Sequence, residues 1–384
     1  MRIAIAAGES SGDVLGAGLI DALKKRVPDT RIVGIAGPKM RAADCEAWFR
    51  TEELSVMGLA EVLRHLPRLL KLRRRFAERL LADPPDLFVG IDSPDFNLPL
   101  ASKLKAAGIP TVQYVSPQVW AWRQSRVASI AKSVDTVLCV LPFETEFYAE
   151  HGVPARFVGH PLADEIPLTV DRHAAREALG LARDTPLLAL LPGSRGGEVG
   201  RLARPFAETA AWLGERIPQL TTAVAIAHEG LDELWGEATS AVPGADSIRR
   251  FTGQARDVMA AADVVLTASG TASLEAMLLK RPFVVAYRMS AFSYWLLRRM
   301  GIQKLPFYSL PNLLAGEEIA PEYVQASVSA EVLGPALQRA LEDGAGHQQR
   351  ARLMRSIHEQ LRQGGSDVAA AAVLELVGHG QRAA

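Results

Sequence analysis

Cysteine is nearly missing from the chain: two in 384 residues, Cys45 and Cys139, neither in a Cys or His metal-ligand spacing. That excludes a disulfide framework and makes a reduced, cytosolic compartment the default expectation. No charge of one sign is in excess, because 43 basic side chains face 43 acidic ones. Global electrostatics therefore predicts neither nucleic acid nor an acidic partner. No run approaches roughly twenty uncharged apolar residues, so no membrane-spanning helix is expected. The apolar start at Ile3–Ala7 is too short for a signal peptide and meets Gly8-Glu9 without a cleavage-like site. The 31 glycines and 23 prolines are spread along the chain, which excludes collagen and low-complexity disorder. Several chemical signatures are missing too. No Gly-Lys-Ser/Thr closes a phosphate loop, and Gly8–Gly12 lacks the Gly-x-Gly-x-x-Gly spacing. Pro192 excludes a nucleophile elbow at Ser194. The histidines never fall in His-Glu-x-x-His, so we expect no metal and no cofactor.

What is present is a rhythm. Short apolar runs at Ile3–Ala7, Ile32–Ala36, Leu87–Ile91, Thr111–Val115 and Thr136–Val140 alternate with helical patterns. Such alternation implies βαβ units around a buried parallel sheet. The rhythm pauses between Gly159-His160-Pro161 and Arg172, then restarts with Leu187–Leu191, Thr222–Ile226, Val264–Thr267 and Phe283–Tyr287. From about Ser329 the pattern is helical. The expected fold is α/β: two Rossmann-like, doubly wound domains facing a cleft, with a helical C-terminal segment. We expect the division to fall at residues 1–165, 166–362 and 363–384, the last packing back on the first domain. Ligands of such sheets bind at the carboxyl ends of the strands.

Two strand-to-helix junctions are suited to phosphate. In Leu191-Pro192-Gly193-Ser194-Arg195 a glycine permits close backbone approach, and the following helix offers unpaired N–H groups. Arg195 adds a planar, permanently charged fork. An ordinary βα turn with a surface arginine is the competing reading. In Ala268-Ser269-Gly270-Thr271, small residues again open a helix, and Glu275 is placed to accept both hydroxyls of a ribose. The competing reading there is a Ser/Thr cap. Two such loops in one domain favour a nucleoside diphosphate.

Asp92 directly follows the apolar run Leu87–Ile91, at the sheet edge that faces a ligand. A carboxylate there can take a proton from an attacking hydroxyl, although capping explains it equally well. Glu9, at the tip of the first strand, could share that cleft. Asp95 and Asn97 are read as turn and cap residues beside Pro94 and Pro99.

Residues 56–81 are basic and greasy. Leu59, Val62, Leu63, Leu66, Leu69, Leu70 and Phe76 recur at helical spacing, flanked by Arg64, Arg68, Lys71, Arg73, Arg74 and Arg75. The segment reads equally as an interfacial helix on an anionic membrane or as a core-packing helix with a solvated basic face. Pro67 is expected to divide it into two helices. A second aromatic and basic stretch lies at Tyr287–Met300, with Phe292, Tyr294, Trp295, Leu296 and Leu297 beside Arg298 and Arg299.

Six segments together carry a resemblance: Gly8–Asp13, Gly90–Asn97, Tyr114–Arg123, Leu191–Gly196, Ala268–Ala272 and Tyr308–Gly316. In this order they resemble the lipid-A-disaccharide synthase family of inverting, GT-B-type glycosyltransferases, over nearly the whole chain. The resemblance implies transfer of 2,3-diacylglucosamine from UDP-2,3-diacylglucosamine to the 6-hydroxyl of 2,3-diacylglucosamine 1-phosphate, giving the β-1′,6-linked disaccharide. It implies Asp92 as base, Arg195 on the departing diphosphate, and Asn312 on donor or phosphate. Glu9 and Ser11 would line the cleft. Gly193, Ser194, Ser269, Gly270, Thr271 and Glu275 would hold UDP. Because both substrates carry acyl chains, membrane contact through Leu59, Val62, Leu63, Leu66, Arg68, Leu69, Leu70 and Lys71 becomes the favoured reading. A homodimer, peripheral on the cytoplasmic face of the inner membrane, is implied as well. Left open are another UDP-sugar transferase or epimerase of this fold, and a non-catalytic UDP-binding membrane adaptor.

Overall fold

The structure is a computed structural model. It describes residues 1–54, 59–122, 124–290, 299 and 306–383, with the side chains of 59–65, 122, 124 and 379–383 left out of the description. The chain forms two compact units, Met1–Asp164 with Leu361–Ala384, and Glu165–Gln360.

The first unit is built on seven parallel strands: β1 (Arg2–Ala7), β2 (Arg31–Ala36), β3 (Cys45–Arg50), β4 (Leu87–Ile91), β5 (Thr111–Tyr114), β6 (Thr136–Cys139) and β7 (Ala155–Phe157). Their order is β3-β2-β1-β4-β5-β6-β7. Strands β1 and β4 are buried along almost their whole length, as strands covered by helices on both faces must be. The core gathers Ala4, Val33, Phe76, Phe88, Leu104 and Val137.

The second unit has six strands: β8 (Leu187–Leu191), β9 (Thr221–Ile226), β10 (Arg249–Thr252), β11 (Val264–Ala268), β12 (Phe283–Tyr287) and β13 (Glu322–Val324). Their order is β10-β9-β8-β11-β12-β13, again all parallel. Leu190, Phe206, Val224, Trp235, Leu266 and Val284 lie in its core.

Both sheets reverse strand order beside their first strand. The chain runs outward from β1 to β3 and returns to pair β4 with β1; it runs outward from β8 to β10 and returns to pair β11 with β8. Each reversal is a topological switch point, where diverging loops open a crevice at the strand ends.

Four strands have no counterpart among the expected runs: β3 (CEAWFR), β7 (ARF), β10 (RRFT) and β13 (EYV). All four are sheet edges. An edge strand is partly wet and needs no continuous apolar run, so periodicity misses it.

The basic segment also departs from expectation. Leu59–Ala82 is one helix with Pro67 inside it, rather than two. Proline removes a single hydrogen bond, which a 24-residue helix can forgo when its second half is anchored. That anchor is Leu72, Phe76, Ala77 and Leu80, all buried, each large side chain contributing about 1.5–3 kcal/mol. Phe76 meets Trp48 and Phe49 of β3 edge-on, and Arg79 stacks 3.9 Å over Trp48. The first half differs: Leu66 is 42% and Leu70 45% exposed. Leu69 is half-buried, while Arg68 and Lys71 are exposed. The side chains of Leu59, Val62 and Leu63 lie outside the described residues, as do Phe292, Tyr294, Trp295, Leu296, Leu297 and Arg298 of the second candidate.

The C-terminal helix Gly365–Ala383 packs in the first unit against the helix Ser10–Arg26. A Cβ on Gly18 would lie 2.4 Å from Ser366 Oγ, and Arg156 pairs with Glu375 at 2.9 Å. The segment is tied at its start, where Asp164 accepts from the Gly364 and Gly365 amides at 2.9 and 2.7 Å.

Candidate active site

In the first unit the motif loops stand at the β1–β4 switch point. The helix Ser10–Arg26 starts directly after β1 with Glu9 in its extended N-cap position, and no side chain caps it. Its first-turn amides therefore have no side-chain acceptor. Glu9 and Ser11 are exposed there, and the Glu9 carboxylate takes no hydrogen bond among the described residues. Asp13, in the same motif, has a different task. Its buried carboxylate accepts from the amides of Gly37, Lys39 and Met40 at 2.9–3.0 Å, capping the short helix Pro38–Ala42.

Across the switch, Asp92 follows β4 with φ at +52°, and Ser93 with φ at +41°. Left-handed backbone costs a non-glycine residue on the order of 1–3 kcal/mol. Gly8 lets the two loops meet, since a Cβ there would stand 1.9 Å from Ser93 Oγ. Asp92 is half-buried, and its carboxylate takes no hydrogen bond among the described residues. Asp95 is exposed and pairs with Arg126 at 2.6 Å. Asn97 is no cap: it is 1% exposed, and its Nδ2 donates to the carbonyls of Asp92, Ile91 and Ala6 at 2.9, 3.2 and 3.3 Å.

Beyond β5 the segment Ser116–Trp122 rests on a buried acid. Glu144 accepts from the Leu141 amide and the Trp120 indole, both at 3.1 Å. Burial pushes its carboxyl up to about 7, with those donors pulling the other way. Ser116 and Tyr148 hydroxyls meet at 3.0 Å beside it.

In the second unit both small-residue loops stand at the β8–β11 switch point. Gly193, with φ at +113°, turns the chain out of β8, and the helix Gly196–Gly214 follows. Arg195 is its N-cap, and its side chain is 82% exposed. Glu198 folds back so that its Oε2 accepts from the Ser194 amide at 3.1 Å and its Oε1 lies 3.7 Å from Arg195 Nη1. A carboxylate thus rests on the loop amide and beside the arginine.

After β11, Gly270 adopts φ 136°, ψ −152°, a region that belongs to glycine. The helix Thr271–Leu278 follows, and neither serine nor threonine caps it. That removes the capping explanation: Ser273 Oγ donates to the Gly270 carbonyl at 2.7 Å, and Thr271 is exposed. Glu275 is largely buried and lies 3.4 Å from Arg256, which also pairs with Glu165 at 3.1 Å. Burial raises its carboxyl above the ordinary range while Arg256 opposes that shift.

Ser269 Oγ lies 3.5 Å from the Tyr308 carbonyl, bringing the Tyr308–Gly316 motif to this loop. Asn312 corrects the expectation of a ligand contact. It is 0% exposed. Its Nδ2 donates to Ala320 O and Glu322 Oε1, both at 2.8 Å, while Oδ1 accepts from the Ile319 and Ala320 amides at 2.9 and 3.1 Å. All four hydrogen-bonding capacities of the amide are spent inside the protein. Glu322 is the residue the sequence did not announce. It also accepts from the Tyr308 and Ser309 amides and from Ser309 Oγ, at 2.7, 2.9 and 2.6 Å. Only the pairing of β13 with β12 places it there.

Two doubly wound sheets, each carrying its motif loops at the switch point, define the GT-B class of α/β proteins. Solved structures share the architecture: UDP-GlcNAc 2-epimerase from Neisseria meningitidis bound to UDP-GlcNAc aligns with TM-score 0.66 at 11% identity, covering 98% of this chain and 100% of that one. The calicheamicin glycosyltransferase CalG4 aligns with TM-score 0.61 at 19% identity, covering 98% of each. Sequence narrows the class. The family model described as lipid-A-disaccharide synthetase matches residues 3–376. A lipid-A-disaccharide synthase of Alkalilimnicola ehrlichii is 52% identical over 98% of this chain and 99% of its own. One of Chromohalobacter salexigens is 50% identical over 99% and 98%. The chain belongs to the lipid-A-disaccharide synthase family, and is a glycosyltransferase.

Proposed function

We propose that the enzyme joins UDP-2,3-diacylglucosamine to 2,3-diacylglucosamine 1-phosphate, forming the β-1′,6-linked disaccharide and releasing UDP. The observation that carries this reading is the placement of four of the six motif segments, Gly8–Asp13, Gly90–Asn97, Leu191–Gly196 and Ala268–Ala272, at the two switch points. In it the first unit takes the acceptor and the second takes the UDP-sugar. The acceptor 6-hydroxyl gives its proton to Asp92 as its oxygen bonds to the donor's anomeric carbon. The bond from that carbon to the diphosphate breaks on the opposite face, so configuration inverts. An inverting transfer needs one base and a stabilised leaving group. Arg195, with the amides of Gly193 and Ser194, receives the charge that develops on the diphosphate. Glu198 must release that loop when the diphosphate arrives. Ser269, Gly270 and Thr271 offer amides and hydroxyls to UDP, and Glu275 takes the ribose. Glu9 and Ser11 line the acceptor side. Asn312 and Glu322 hold their loop in shape beside Ser269.

Acyl chains keep both substrates in a bilayer, since each buried CH₂ is worth about 0.8 kcal/mol. No described helix is long and apolar enough to cross a membrane. The reading is a peripheral enzyme on the cytoplasmic face of the inner membrane, docked through the first half of the helix Leu59–Ala82. A homodimer completes it, on the family resemblance alone. Neither an epimerase nor a non-catalytic adaptor is favoured by membership of this family over nearly the whole chain.

The test is disaccharide formation from radiolabelled donor and acceptor. Asp92→Asn should keep UDP binding and lose about 10²-fold or more in kcat. Full turnover in that variant removes Asp92 as the base.

A further inference from the structure

Among the described residues, six non-glycine residues have positive φ, and three of them, Asp92, Ser93 and Val115, cluster at the carboxyl ends of the neighbouring strands β4 and β5. For a β-branched residue such as Val115, at φ +71°, this is an outlier. Strain of this kind persists where the surroundings over-determine it. Here two buried side-chain amides do so, arriving from different elements. Gln113, on β5 and 1% exposed, donates from Nε2 to the carbonyls of Asp92 and Val115 at 3.0 and 3.2 Å, with Tyr114 O at 3.4 Å. Asn97, on the helix Pro94–Ala106, donates to the same Asp92 carbonyl at 2.9 Å. Gly90 makes the room: a Cβ there would lie 2.8 Å from Asn97 Cβ and 3.2 Å from Gln113 Oε1.

The arrangement is costly. Asn97 Oδ1 and Gln113 Oε1 are both buried without a hydrogen-bond partner among the described residues. Packing alone is served better by apolar side chains of the same size, which leave no acceptor stranded. What the amides supply and apolar groups cannot is a two-sided grip on one carbonyl. The Asp92 carboxylate takes no hydrogen bond among the described residues, so what fixes its place is the backbone, which sets where its Cα–Cβ bond points.

We infer that Asn97 and Gln113 are positioning residues for glycosyl transfer: by clamping the Asp92 carbonyl they hold that residue left-handed and aim its carboxylate at the acceptor hydroxyl. This rests on the reading of Asp92 as base and adds how the base is held.

Steady-state kinetics of the full chain with UDP-2,3-diacylglucosamine and 2,3-diacylglucosamine 1-phosphate test it. Gln113→Glu and Asn97→Asp exchange the donor for an acceptor at constant size. Gln113→Met and Asn97→Leu remove the grip without burying a new charge, and serve where the acidic variants fail to fold. We expect kcat to fall roughly 10- to 100-fold, as misplacement of a reacting group does, with each KM within about twofold of the original. Added to Asp92→Asn, the same substitutions should cost nothing further, because residues acting as a unit are not additive. Unchanged kcat in folded Gln113→Met and Asn97→Leu overturns the clamp, as does a further loss on top of Asp92→Asn. The two readings separate cleanly. An active Asp92→Asn removes the base, whereas an inactive Asp92→Asn beside a fully active Gln113→Met removes only the clamp.

Discussion

In the first unit's site region, one buried carboxyl is shifted toward neutrality. Burial pushes Glu144 from 4.5 up to about 7, and the Leu141 amide and Trp120 indole offset only part of that. Because the folded-state value is the higher one, Glu144 favours the folded state most below about pH 4.5, and that contribution is lost as pH rises through about 7. His160 works in the opposite direction. Burial lowers it to about 4, so its contribution is complete above its ordinary value of 6.5 and is lost as pH falls toward 4. The two mask each other in the parent protein, so a single substitution is needed to separate them. Glu144→Gln keeps the shape and cannot ionise. Its melting temperature minus that of the parent should be larger near pH 8 than near pH 5. A difference independent of pH would show that Glu144 is ionised throughout. At this scale the sequence was half legible. That Asp92, Arg195 and Gly270 stand in loops after strands was readable because each follows an apolar run. The parts played by Asn97, Gln113 and Glu322 were not, because each acts on a partner that only strand pairing or helix docking supplies. Asn312 was expected on donor or phosphate only because the family resemblance implied it; its four internal bonds could not be foreseen from the chain.

Among the elements, the helix Leu59–Ala82 divides between a buried half and an exposed one. Core packing describes its second half, where Leu72, Phe76 and Leu80 are buried. Exposure describes the residues before them: Leu66 and Leu70 are large apolar side chains in water, flanked by the exposed Arg68 and Lys71. Each basic residue near an anionic surface is worth about 1 kcal/mol, and each apolar side chain that leaves water about 1.5–3 kcal/mol. Replacing Leu66 and Leu70 with Ser should therefore weaken sedimentation with phosphatidylglycerol vesicles by about tenfold or more, while the melting temperature stays unchanged, because neither side chain is in the core. Persistent binding would move the membrane contact elsewhere. The strands divide in a similar way. β1, β4, β8 and β11 were legible as apolar runs because helices cover both their faces. The edges β3, β7, β10 and β13 were not, because half-wet strands carry charge and aromatic residues in place of a run.

For the whole molecule, the consequential feature is that the chain leaves the first unit at Asp164 and re-enters it at Leu361. The two ends are bonded to each other: His160 N donates to Leu361 O at 2.8 Å, and Asp164 accepts from the Gly364 and Gly365 amides. Gly159, at φ +90°, admits the returning chain, since a Cβ there would lie 2.6 Å from Gln363 Cβ. The returning helix then buries Ala369, Ala370 and Val373 in the first unit. It packs on the helix Ser10–Arg26, whose N-terminus carries Glu9 and Ser11. Residues 363–384 were expected to pack back on the first domain; periodicity along the chain does not reveal that return, and in the structure the returning stretch begins at Leu361. The dependence can be measured. Residues 1–164 joined directly to 361–384 through a short glycine linker should unfold in one cooperative transition in urea. Residues 1–164 alone should show a lower midpoint and a shallower slope, because they expose the apolar surface that the returning helix covers. Equal midpoints for the two chains would mean that the helix is an appendage, and that the N-terminus bearing Glu9 and Ser11 is held without it.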